Sequence, residues 1–205
     1  MNTLAKRKQS ILKLVQFALL TAITMVLHFS GAAIPAFGTK ISLVLIPLAL
    51  CAMLLGPAYG AFLGFIYGTT VFVSLGVMHL DAMTGFMFDS TPVVTALICI
   101  VKTTAAGFVA GWVYKLLEAK NQLVAVFVAA ALVPTVNTGL FILGCLCILG
   151  TIESYLASVS LAYSGVYFIM IVCAGVNYAL ELAVNVIFAP ALERIIRLVR
   201  KQIKH

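Results

Sequence analysis

The chain has 205 residues, 63% of them hydrophobic and only 9% charged, with a mean hydropathy of +1.17. A soluble domain of this size needs far more charge on its surface, so that class is excluded and an integral membrane protein remains. The net charge of +7 does not imply nucleic acid, because eleven of the 13 Lys and Arg lie in 6–13, 115–120 and 194–204. Those stretches flank apolar runs, where the positive-inside rule puts cations on the cytoplasmic side.

Six apolar segments follow in order: 11–29, 41–55, 58–78, 91–114, 123–149 and 166–189. They are long runs rather than alternating ones, so they predict membrane-crossing helices and not the strands of a barrel. The expected fold is an all-α compact bundle of six transmembrane helices in one domain over 1–205, with both termini cytoplasmic. The first run is too long for the apolar region of a secretory signal and reads as a retained span. It carries Ala18-Leu19-Leu20-Thr21-Ala22, whose two alanines let another helix approach. Residues 31–40 form an external loop punctuated by Gly and Pro, with no regular period. The second run is shorter than a bilayer requires, so it either sits in thin membrane or leans on neighbours while its loops dip inward.

The third run is organised by Gly56, Gly60, Gly64 and Gly68, which recur every four residues and line one groove of a helix. Pro57 suits the first turn, where its missing N–H is not needed. Such a groove admits a second backbone at close range. It fits either a tightly packed helix or a docking face for another membrane subunit. The following connection, 76–90, mixes His79, Asp81, Asp89, Phe86 and Phe88, and its aromatic content suggests a lid folded onto the bundle. Trp112 beside Tyr114 and Lys115 reads as a cytoplasmic interface anchor. Lys115 and Lys120 fall inside, whereas Asp81, Asp89 and Glu153 fall outside with Lys40 as the one cation of the external loops.

Polar groups deep in a span need partners or a purpose. Lys102 lies about 16 Å below the external end of the fourth span at 1.5 Å per residue. Asn177, Glu181 and Asn185 share one face of the sixth span, one turn apart. Asn137 reaches similar depth on the fifth, one turn after Pro134, which frees a backbone carbonyl and favours a cavity wall over lipid contact. Together these residues form either the floor of an externally open cavity or a Lys102–Glu181 pair that holds the bundle together. Lys40 either snorkels to the interface or meets an anionic solute. The candidate solute contacts are therefore Lys40, Phe88, Lys102, Asn137, Asn177 and Glu181. Tyr67, Phe86 and Phe141 offer further aromatic walls. The five cysteines lie within apolar runs and read as buried thiols, while His79 and the external carboxylates read as a solvated rim. No catalytic set, metal-ligand spacing, cofactor motif or GxxxxGK nucleotide loop is present, so an enzyme is not expected.

Several of these stretches occur together in a known family. Six spans in about 200 residues, the basic N-terminus, Ala18 and Ala22, the Lys40-Ile41-Ser42-Leu43-Val44-Leu45-Ile46-Pro47 entry to the second span, and Leu55-Gly56-Pro57 with Gly60 resemble the substrate-binding S components of energy-coupling factor (ECF) vitamin transporters. Pro134 with Asn137-Thr138-Gly139 extends the resemblance to nearly the whole chain. It implies high-affinity capture of one vitamin from outside, under closing loops. It also implies docking through small-residue faces onto a transmembrane coupling subunit joined to two ATPases, with toppling of the S component for release. Ala18 and Ala22 match the docking motif, which Gly56, Gly60 and Gly64 would extend. The ligand residues do not transfer by motif. Lys40, Lys102 and the amides suit pantothenate first, with riboflavin or folate next. An ion-coupled secondary transporter and a structural membrane protein are the alternatives, although the first and second three spans show no convincing repeat.

Overall fold

The computed structural model describes the backbone of residues 3–30, 33–36 and 39–203, and the side chains of 7–30 and 43–201. It is a helical membrane bundle. Among the described residues, five helical segments are long and apolar enough to cross a bilayer: Arg7–Phe29, Pro57–Val77, Pro92–Leu117, Gln122–Cys147 and Gly165–Lys201. They belong to α1 (Thr3–Phe29), α3 (Pro57–Val71 with a π-helical extension, Phe72–Val77), α5 (Pro92–Leu117), α6 (Gln122–Cys147), and α8 (Gly165–Tyr167) running through π-helical Phe168–Gly175 into α9 (Val176–Ile203). The sixth predicted segment is the short helix α2 (Leu45–Leu55). Two further helices, α4 (Ala82–Ser90) and α7 (Leu149–Ser158), lie in the connections that lead to α5 and α8.

The shortness of α2 is explained by its position. It packs against α1, α3, α5, α6 and α9, and Leu48, Ala49, Cys51 and Ala52 are wholly buried. A helix enclosed by others needs no matching to bilayer thickness, because protein rather than lipid surrounds it. Before it stands a feature absent from the sequence reading. Ala33–Ala36 (β1) and Thr39–Ser42 (β2) pair antiparallel, Ala36 opposite Thr39, and β2 rests against α9. Four residues a side are too few for alternation to show, and Pro35 disguises the strand.

The glycine groove is filled from within the chain. A Cβ on Gly60 would stand 2.5 Å from the Gly107 carbonyl oxygen of α5, and one on Gly64 would collide with the Thr103 carbonyl. Thr103 Oγ1 donates to the Gly64 carbonyl at 2.7 Å. This corrects the expectation that Gly60 and Gly64 help form a docking face: backbone-to-backbone contact with α5 already occupies them. Gly64→Val should therefore lower the melting temperature by several degrees, through overpacking of about 1–3 kcal/mol. Gly139→Ala, which meets nothing within 4 Å, should not. Thermal unfolding of the purified variants in one detergent checks both.

Candidate functional site

Lys102 from α5, Asn137, Thr138 and Phe141 from α6, Cys173 and Ala174 from the π-helical segment, and Asn177 and Glu181 from α9 line one cavity of about 120 Å³. Four of the six candidate solute contacts, together with Phe141, thus share a single chamber near mid-depth. Helical spacing brings them there. Cys173, Asn177 and Glu181 follow one another every four residues, as Asn137 and Phe141 do, so each helix lines the chamber along one stripe. Pro134, buried inside α6 a turn before Asn137, removes one helical hydrogen bond beside the chamber.

The chamber is mostly polar, with Phe141 as its one aromatic lining residue among the described residues. Lys102 Nζ stands 4.8 Å from the centre of the Phe141 ring, within cation–π range. The Oδ1 atoms of Asn137 and Asn177 are buried, and neither has a hydrogen-bond partner among the described residues. Buried amide oxygens are rarely left so, because desolvation without a partner is costly. Glu181 is 4% exposed, and its backbone carbonyl accepts from Asn185 Nδ2 at 2.9 Å. Asn185 therefore braces α9 one turn below the cavity. The sequence reading had not placed Cys173 or Thr138 here, though the four-residue interval from Cys173 to Asn177 was available to suggest the first.

An apolar layer adjoins the chamber at Cys173. Met83 of α4 meets Cys173, with Sγ to Sδ at 3.7 Å, and Phe86 of α4 packs on Tyr155 of α7 at 5.6 Å between ring centres. Met87, Ile152 and Leu156 complete the layer. Phe88, expected at the solute, points elsewhere. Its ring sits edge-on to Phe72 at 5.7 Å and near His79 at 6.2 Å. Met83 and Met87 share the inward stripe of α4, and Phe88 falls just outside it, so Phe88 seats α4 rather than lining the chamber. The side chain of Lys40 lies outside the described residues; its backbone belongs to β2.

The hinge between α3 and α4 has a charge clamp. His79 holds a left-handed backbone conformation, φ 53°, which a non-glycine residue adopts only when held. Its Nδ1 faces the Val77 carbonyl at 3.1 Å, and its Nε2 faces both Asp89 carboxylate oxygens at 3.1 Å. Both partners are acceptors, so only the doubly protonated ring satisfies both. Hydrogen bonding to Asp89, and then to Val77, lifts the His79 pKa above its ordinary 6.5; the little desolvation there opposes the shift and the Asp89 charge adds to it. A raised pKa stabilises the fold fully below the unfolded value, and the benefit is lost as pH rises through the folded value. Hydrogen exchange in 82–90, corrected for its intrinsic pH dependence, should therefore accelerate from pH 6 to pH 9. In His79→Gln it should be uniformly fast. Equal protection at both pH values in the native chain would refute the clamp.

Along the middle of α1, Phe17, Leu20 and Thr24 turn inward, and Phe17 stacks on Phe62 at 5.5 Å. Ala18 and Ala22 consequently face outward beside exposed Val15, Leu19 and Val26. Gly56, at the α2–α3 corner with φ 104°, has nothing within 4 Å of where a side chain would begin.

In comparisons with known proteins, the sequence profile of a family described as "ECF transporter, substrate-specific component" matches residues 12–193. No curated protein matches the chain.

Proposed function

The chain belongs to the family of substrate-specific components of ECF transporters, and from that premise we propose that it captures a water-soluble vitamin at the outer face of a prokaryotic plasma membrane. The family supplies the substrate-specific part of an uptake system whose energy comes from separate transmembrane and ATPase modules. It is a family of transporter components rather than of enzymes. The observation that carries the reading is the mid-depth chamber, where a lysine converges with two buried amide oxygens that have no hydrogen-bond partner among the described residues. Lys102 would meet the carboxylate of the solute, and Asn137 and Asn177 would bond its amide or hydroxyl groups. Lys40 and Glu181 complete the proposed contact set.

At about 120 Å³ the chamber is smaller than the roughly 300–1,000 Å³ of ordinary ligand pockets. Admitting a vitamin would therefore require the helices around the chamber to move apart. The π-helical stretches Phe72–Val77 and Phe168–Gly175, which adjoin α4 and the chamber, are suited to absorb that movement. The limited space and the single lysine of the chamber favour pantothenate as first candidate over riboflavin or folate. Ala18 and Ala22, with Gly56 at the cytoplasmic corner, form the proposed seat for the transmembrane coupling subunit, which is joined to two ATPases.

Calorimetry of the purified chain against a vitamin panel tests this. Tight binding of one vitamin by the chain alone is the expected result. No binding across the panel would overturn the vitamin reading, and uptake by liposomes holding only this chain under an ion gradient would replace it with a secondary transporter.

A further inference from the structure

The last turn of α1 carries His28, which belongs neither to the chamber nor to the outward alanine stripe. Its Nε2 stands 2.8 Å from Ser74 Oγ in the π-helical end of α3, and its ring lies edge-on to Tyr67 at 5.7 Å. We propose that His28 is a positioning residue that passes movement of α1 to α4, a role that rests on the docking face proposed above for Ala18 and Ala22. Through Ser74 it ties the helix that seats the coupling subunit to the segment that carries α4 and the apolar layer beside the chamber.

The way α1 is held favours such a tie. Of its described side chains, only Phe17, Leu20 and Thr24 are buried. The Thr24 hydroxyl donates to the Leu20 carbonyl of its own helix at 2.8 Å, so it supplies no bond to a neighbour. Apolar packing of this kind has no fixed direction, and a helix held by it can slide in lipid. Directional contacts to α3 come at the last turns. Met25, one turn beyond Ala22 on the same stripe, has its Sδ 3.4 Å from Thr70 Oγ1. The Thr70 hydroxyl also donates to the Ile66 carbonyl at 2.9 Å, so the His28–Ser74 bond is the stronger of the two rungs.

Ser74 is the joint. It is 1% exposed, and its hydroxyl donates to the Thr70 carbonyl at 2.8 Å, which leaves a lone pair for His28 Nε2–H. Its backbone carbonyl accepts from Leu80 N–H at 3.2 Å, just past the left-handed His79. The same π-helical segment meets α4 through Phe72 and Phe88, and α4 brings Met83 to Cys173 of the chamber wall. A displaced His28 must therefore either draw the segment with it or give up a bond at a buried hydroxyl, which is costly. A π-helical stretch is a common feature of functional sites, and here it stands between the two helices.

Hydrogen exchange of the full chain in phospholipid nanodiscs tests the tie without solute or partner. In Ser74→Ala and in His28→Leu, exchange over 78–90 should rise about fivefold, the loss of one ordinary hydrogen bond, with α6 unchanged. The double variant should exchange no faster than Ser74→Ala alone, because the two changes delete the same bond. His28→Gln keeps a donor of similar reach and should exchange as the native chain does. Native exchange in either single variant, or additive effects in the double variant, would overturn the proposal.

Uptake by cells reads the consequence for transport. Ser74→Ala and His28→Leu should lower uptake severalfold at saturating vitamin while the purified variants bind as the native chain does, and His28→Gln should restore uptake. Native uptake in both would reduce the bond to a structural tie and overturn the relay. Parallel loss of binding and uptake would place His28 at the solute and overturn it as well. Absence of vitamin binding by the native chain would strike the vitamin reading instead, leaving the exchange measurements to decide the tie on their own.

Discussion

Lys102→Met is expected to weaken binding of the captured vitamin by about ten- to a hundredfold, the loss of one charge-assisted hydrogen bond of roughly 1.5–3 kcal/mol. Methionine keeps most of the stem that lies along α5 and can still rest near Phe141, so the packing of the chamber survives. The same variant separates the two readings of the mid-depth lysine and glutamate. If Lys102 meets the solute, calorimetric affinity falls while the melting temperature without solute moves little. If Lys102 and Glu181 are mainly a structural pair, removing one partner leaves a buried charge, and stability drops by about 3–5 kcal/mol even without solute. Unchanged affinity would remove Lys102 from the site. Asn137→Ala and Asn177→Ala extend the comparison, since each deletes an amide whose oxygen has no other described partner.

Ala18→Trp and Ala22→Trp are expected to abolish uptake by cells and to leave vitamin binding by the purified chain intact. Both alanines face outward from α1, on the side opposite Phe17, Leu20 and Thr24, so an indole there meets lipid and not the core. The isolated protein should therefore melt and bind as before. Against a partner helix the same indole would hold the backbones apart, and packing at short range is what associates helices in lipid. Comparing calorimetry with whole-cell uptake distinguishes the cases, and parallel loss of both activities would mean that this face serves folding instead of docking. A tryptophan at Gly60 would not make a comparable probe, because Gly107 of α5 already fills that space.

The contrast between Ala18 and Gly60 shows where reading from residues stops. Both belong to small-residue stripes, and both stripes predict a close helix neighbour. Whether that neighbour lies in the same chain is a matter of how helices are arranged, which periodicity cannot express. Phe88 illustrates the same limit on a smaller scale: its place in an aromatic-rich connection was plain, but one position around a short helix separates the chamber from the hinge. The hairpin 33–42 escaped because its strands are too brief to display a period.

What the residue string settled by itself was the solvent and the depth of each group. Apolar runs of about 20 residues must span lipid, cationic flanks must stay inside, and polar side chains ten or more residues from either end must lie near mid-membrane. That was enough to select Lys102, Asn137, Asn177 and Glu181 before any of them had a known neighbour. Only the tertiary structure decided that they face one another, that α2 is enclosed, and that the glycines meet α5. Depth follows from counting along one helix, whereas facing depends on the rotation of several helices at once, and that is set by side-chain packing between segments far apart in the chain.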